Sequence, residues 1–125
     1  EVGTTLAVRL CDNDGGGEGV ERSVVPPAGA TAATLSFSYW REELDDANDY
    51  VVAQLSADGG AWIEVARISG PGTDSKSSPA QRIEVDVSAR IGSIMRLRFL
   101  TSPALGGGDL VYVDDVNIAF AAPCP

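Results

Sequence analysis

Short runs in which every second residue is apolar recur along most of this chain, and most are closed by glycine, proline or aspartate. That period of two belongs to half-buried strands, and its repetition with turn signals in between leaves an all-β sandwich or barrel as the fold. The clearest run is "AATLSFSYW", with Leu35, Phe37 and Tyr39 on one face and Ser36, Ser38 and Trp40 on the other. "YVVAQLS" puts Val51, Ala53 and Leu55 inward, Asp58-Gly59-Gly60 signals a hairpin, and "AWIEVARIS" returns antiparallel. "QRIEVDVSA" turns Ile83, Val85 and Val87 in, and "IMRLRFLT" sets Met95, Leu97 and Phe99 opposite Ile94, Arg96 and Arg98. With "TTLAVRLC", "VERSVV" before Pro26-Pro27, and "LVYVDDVNIAF", about eight strands are expected, arranged as an antiparallel sandwich of jelly-roll type. "REELDDAND" has the length for a helical turn, but its aspartates favour a loop.

The length of 125 residues suits a single domain spanning 1–125 with one core. No run reaches the roughly 18 apolar residues of a membrane span. The acidic start has no signal-peptide character, and the chain reads as an excised or processed piece. A net charge of −9 argues against nucleic acid as a partner, since phosphates require a basic surface. There is no histidine, so no Ser-His-Asp triad can form, and no P-loop, dinucleotide fingerprint or HExxH motif is present. The chain is therefore expected not to be an enzyme. The two cysteines, Cys11 and Cys124, are too far apart for a CxxC motif. A disulfide between them would tie the terminal strands together and suit an extracellular domain; two isolated thiols are the alternative.

Carboxylates gather in three places: Asp45, Asp46 and Asp49; Asp12 and Asp14; and Asp109 with Asp114 and Asp115. Calcium takes six to eight oxygen ligands, and clustered carboxylates repel unless a cation neutralises them. A Ca²⁺ held by Asp114 or Asp115, with Asp45, Asp46 and Asp49 as partners and Asp12 and Asp14 second, is one reading; solvated loops are the other. Val111 and Val113 share one parity, whereas Val116, Ile118 and Phe120 share the opposite one. A β-bulge at Asp114-Asp115 accounts for that slip. For a ligand face the candidates are Trp40, Tyr112, Arg96 and Arg98, since aromatic plates beside arginine and aspartate suit a sugar. Trp62 and Tyr50 are more ordinarily packing, and the arginines have cross-strand pairing with Glu64, Glu84 or Asp86 as their alternative.

The segments "ATLSFSYWREELDDANDYVVAQLSADGGAWIEVARISG", "IEVDVSARIGSIMRLRFLTS" and "GGGDLVYVDDVNI" together resemble extracellular jelly-roll modules of the carbohydrate-binding and MAM-like kinds, over about Gly3 to Phe120. The resemblance implies a non-catalytic domain with a structural Ca²⁺ near the chain ends, which falls here on Asp114 or Asp115. The N-terminal lead-in that supplies the early ligand in such modules is short or missing here. The function expected is a calcium-stabilised carbohydrate-binding or adhesion module of a secreted or cell-surface multidomain protein, with a glycan and neighbouring domains as partners. A structural spacer or self-assembly module is the alternative, favoured by an aromatic content of only 6%.

Overall fold

Two antiparallel sheets face each other across a core made by the alternating apolar residues. The computed structural model describes residues 2–3, 8–11, 19–74, 81–103 and 110–122, the first two stretches by their backbone alone. In chain order the strands are β1 (Val2–Gly3), β2 (Val8–Cys11), β3 (Gly19–Val24), β4 (Ala32–Glu42), β5 (Tyr50–Ala57), β6 (Ile63–Ser69), β7 (Gln81–Asp86), β8 (Met95–Thr101) and β9 (Leu110–Ala121). The five-stranded sheet runs β1-β9-β4-β7, with β2 also paired to β9; the four-stranded sheet runs β3-β8-β5-β6. Every pairing is antiparallel. A 3-10 turn, Ser88–Arg90, is the one helical element among the described residues. The fold is an antiparallel two-sheet β-sandwich of jelly-roll type.

The inward parity read from the sequence fills the core. Leu35, Phe37, Val51, Ala53, Leu55, Met95, Phe99, Val111 and Val113 are all buried. Phe37 and Phe99 come from opposite sheets and meet edge-on, centroids 5.1 Å apart at 86°. The Asp58-Gly59 hairpin takes positive φ at both positions, 53° and 76°, the geometry that matches strand twist. Asp58 also receives the Ile94 N–H on Oδ1 at 2.9 Å, which ties the hairpin to the start of β8.

β9 carries the slip expected from its sequence. Ser36 pairs with Asn117 and Ser38 with Asp114, so three steps on β9 oppose two on β4. Asp115 absorbs the extra residue at φ 52° and is exposed, while Val113 and Val116 on either side are buried. Asp114 Oδ1 accepts the Asp115 N–H at 2.7 Å. The two adjacent carboxylates thus have a backbone reason: one sits in the left-handed region, which aspartate tolerates, and the other caps its amide.

Candidate functional site

Trp40 on β4 and Tyr112 on β9 are cross-strand partners, and direct partners point to the same side of a sheet. Both are half-buried on the outer side of the five-stranded sheet, since their neighbours Val111 and Val113 face the core. A pocket of about 320 Å³ opens there, lined by Trp40, Arg41, Glu42, Asp74 and Tyr112. Two pairs along the ladder, Ser38 and Asp114 stand on the same side. Trp40 Nε1 is buried and meets no acceptor among the described residues. An unmatched buried donor costs about 1–3 kcal/mol, so this corner is not packed for stability alone.

The pocket wall is held by a clasp. Arg41 donates from Nε to Asp74 Oδ2 at 3.0 Å and from Nη2 to Asp74 Oδ1 at 2.9 Å, a two-pronged pair. The Asp74 carboxylate also accepts the Arg41 N–H at 2.8 Å and the Gln81 side-chain amide at 3.3 Å. Asp74 N–H returns to the Arg41 carbonyl, and Arg41 Nη1 reaches the Ser69 carbonyl at 3.0 Å. The hydrogen bond from the Arg41 side chain, partly opposed by burial, holds the Asp74 carboxyl down at about 2. Residues 69–74 are thereby laid along the end of β4. Arg41 could have been found in the sequence: it follows Tyr39 at the inward parity, where a charge requires a partner. Asp74, in a polar loop, gave no such signal.

The other predicted residues fall in different places. Arg96 and Arg98 lie on the outer side of the four-stranded sheet, so the set Trp40, Tyr112, Arg96 and Arg98 is split between opposite faces of the sandwich. The arginines pair differently from the sequence alternative: Arg96 reaches Glu21 at 3.5 Å and Arg98 reaches Gln54, while Glu64 pairs with Arg67. Trp62 is not a simple packing residue, because the guanidinium carbons of Arg98 and Arg96 lie 4.0 and 4.8 Å from its ring centroid.

The acidic loop is organised by its own backbone. Asp49, only 4% exposed, accepts the Asp45 N–H at 2.6 Å and the Asp46 N–H at 3.4 Å on Oδ2. Asp46 Oδ1 accepts the Asn48 N–H at 2.7 Å. Among the described residues no three carboxylates or thiols converge as a metal cage, so Asp114 and Asp115 are not brought together with Asp45, Asp46 and Asp49. Asp12, Asp14 and Asp109 lie outside the described residues.

For the cysteines, Cys11 is registered opposite Leu110, the first residue of β9. Cys124 lies outside the described residues.

No family model and no curated protein matches this chain. Solved structures do. TmCBM61 in complex with beta-1,4-galactotriose superimposes with a TM-score of 0.58 at 14% identity, over 82% of this chain and 62% of that one. A CBM4 structure gives 0.59 at 12% identity, over 92% and 71%. The C-terminal domain of EclA, a sugar-binding protein, gives 0.56 at 15%, over 95% and 81%. The fold resembles that of carbohydrate-binding modules. The chain spans under two thirds of the length of the galactotriose-bound structure.

Proposed function

We propose that this chain is a non-catalytic carbohydrate-binding module of a secreted or cell-surface multidomain protein, and that it holds a saccharide on the Trp40–Tyr112 platform. The observation that carries the reading is the cross-strand aromatic pair opening into a pocket whose wall is the Arg41–Asp74 clasp. Aromatic faces bury the apolar side of a sugar ring, while guanidinium and carboxylate groups at the edge exchange hydrogen bonds with its hydroxyls. Beta-1,4-galactotriose is the first probe, since a structure with this fold carries it. Binding of a glycan from an array or by calorimetry is expected to weaken at least tenfold, about 1.4 kcal/mol, in Trp40→Ala. A folded wild-type protein that binds no glycan would favour the spacer or self-assembly reading instead.

Calcium stabilisation is a separate part of the proposal. The test is thermal unfolding in EDTA and in millimolar Ca²⁺, for the wild type and for Asp114→Asn and Asp115→Asn. A midpoint raised by calcium, and less so in the variants, supports it; coincident midpoints leave the aspartates with their backbone roles alone. In either case Asp115→Val is expected to cost about 1–2 kcal/mol, because a β-branched residue resists the left-handed region, and Asp115→Gly is expected to cost little.

A further inference from the structure

We propose that the outer face of the four-stranded sheet is a second binding surface, one for saccharides bearing carboxylates, with Arg98 and Arg96 as the carboxylate contacts and Trp62 as their support. This does not depend on the Trp40 pocket, which lies on the opposite side of the sandwich. β8 is an inner strand of its sheet, between β3 and β5. Residues two apart on a strand share a face, so Arg96 and Arg98 stand side by side, about 7 Å apart. The Trp62 ring lies against both guanidiniums, at 4.0 Å for Arg98 and 4.8 Å for Arg96. Stacking on an indole fixes a long, flexible side chain before any ligand arrives and lowers the entropy cost of using it.

The charges here are under-matched in a chain where matching should be easy. The sequence has 18 acidic residues against 9 basic ones. Even so, Arg98, registered opposite Glu21 on β3, donates from Nε to the neutral Gln54 Oε1 at 2.6 Å and makes no ion pair among the described residues, Glu21 reaching Arg96 instead. Its terminal nitrogens form no hydrogen bond among those residues. Arg96 meets Glu21 only at 3.5 Å, between side chains 37% and 45% exposed, which makes a weak pair. The strand partners of Arg96 are Ser23 and Ser56, both neutral. Two oriented guanidinium forks with free donors match a planar carboxylate. The net charge of −9 repels densely charged polymers, so the ligand is an acidic saccharide with one or a few carboxylates.

Calorimetric titration with trigalacturonate and with its methyl ester tests the proposal. Saturable binding of the acid is expected, at least tenfold weaker for the ester, at least tenfold weaker in Arg98→Gln, and partly restored in Arg98→Lys, which keeps the charge without the fork. Arg96→Gln serves as a second variant, with near-UV circular dichroism as the folding control for each. The chain has two tryptophans, so in a Trp40→Phe background the emission reports Trp62 and should shift on titration. The proposal is overturned by no binding of the acid, by equal affinity for acid and ester, or by full binding in both arginine variants. Loss of the trigalacturonate signal in Trp40→Ala with retention in Arg98→Gln also overturns it, placing the ligand on the other sheet.

Discussion

Phe37→Ala is expected to lower stability by about 3–5 kcal/mol, the range for removing a fully buried aromatic ring. Phe37 is at 0% exposure on β4 and meets Phe99 of the opposite sheet edge-on at 5.1 Å. Removing the ring therefore opens a hole between the sheets, and strands held by ladders on both sides cannot collapse into it. Against a typical stability of about 5–15 kcal/mol, the variant is left close to the limit of folding. Its thermal midpoint should fall by roughly 10–20 °C. Urea unfolding checks the result: a lower midpoint with an unchanged slope is expected. Phe37→Leu, which keeps most of the volume, should lose far less. A loss under 1 kcal/mol for the alanine variant would mean that the two rings do not carry the contact between the sheets.

Asp74→Asn is expected to cost about 2–3 kcal/mol at pH 7, and the cost is expected to disappear in acid. The carboxyl is held at about 2, below its ordinary 3.8, first by the Arg41 side-chain hydrogen bonds, with burial opposing. Because the folded value is the lower one, the carboxylate's contribution is complete above about pH 4 and is lost as pH falls towards 2. A displacement of that size corresponds to something on the order of 2 kcal/mol. The side chains of Arg41 and Asp74 are 21% and 12% exposed, so solvent screens the pair only in part. Urea unfolding of wild type and variant at pH 7, 4 and 2 isolates the effect, since the other carboxyl groups titrate in both proteins. A difference that persists undiminished at pH 2 would show that the clasp acts through shape and not through its charge. Because the same pair forms the wall of the Trp40 pocket, glycan affinity should fall with the variant at pH 7 as well.

Strand identity and facing were legible in the sequence wherever a single face is buried. Leu35, Phe37, Val51, Leu55, Met95 and Phe99 all point where parity puts them, because a one-residue slip would exchange core for solvent along the whole strand. The β9 bulge was legible for the same reason, since Val113 and Val116 cannot both be buried on a regular strand. Sheet membership was not. Nothing in the alternation says that β4 and β8 belong to different sheets, so Trp40 and Arg98 read as neighbours although the core separates them. The aspartates hold a backbone role that composition does not report. Asp46, Asp49 and Asp114 each accept a local backbone N–H that a turn or a bulge would otherwise leave unmatched. The partnership of Arg41 with Asp74 spans 33 positions and joins a strand end to an irregular loop, which no periodicity reports.

The bulge in β9 also makes that strand a counted length. Loops elsewhere can gain or lose a residue without moving what they connect. Between Val113 and Val116, however, the count of two sets which side of the sheet everything beyond it faces. Deleting either aspartate would leave two steps against two and keep Val113 and Val116 on one side; running the strand straight with both kept would act on the fold as a frameshift acts on a message. Val116 and Ile118 would turn out towards water or, if that half held its place, Val113 would turn out and Tyr112 would be driven into the core. Substitution at Asp114 or Asp115 is a local event; loss of the bulge with both residues present rewrites one sheet. The recognition platform and the hydrophobic interior are thus kept in phase by a residue that belongs to neither.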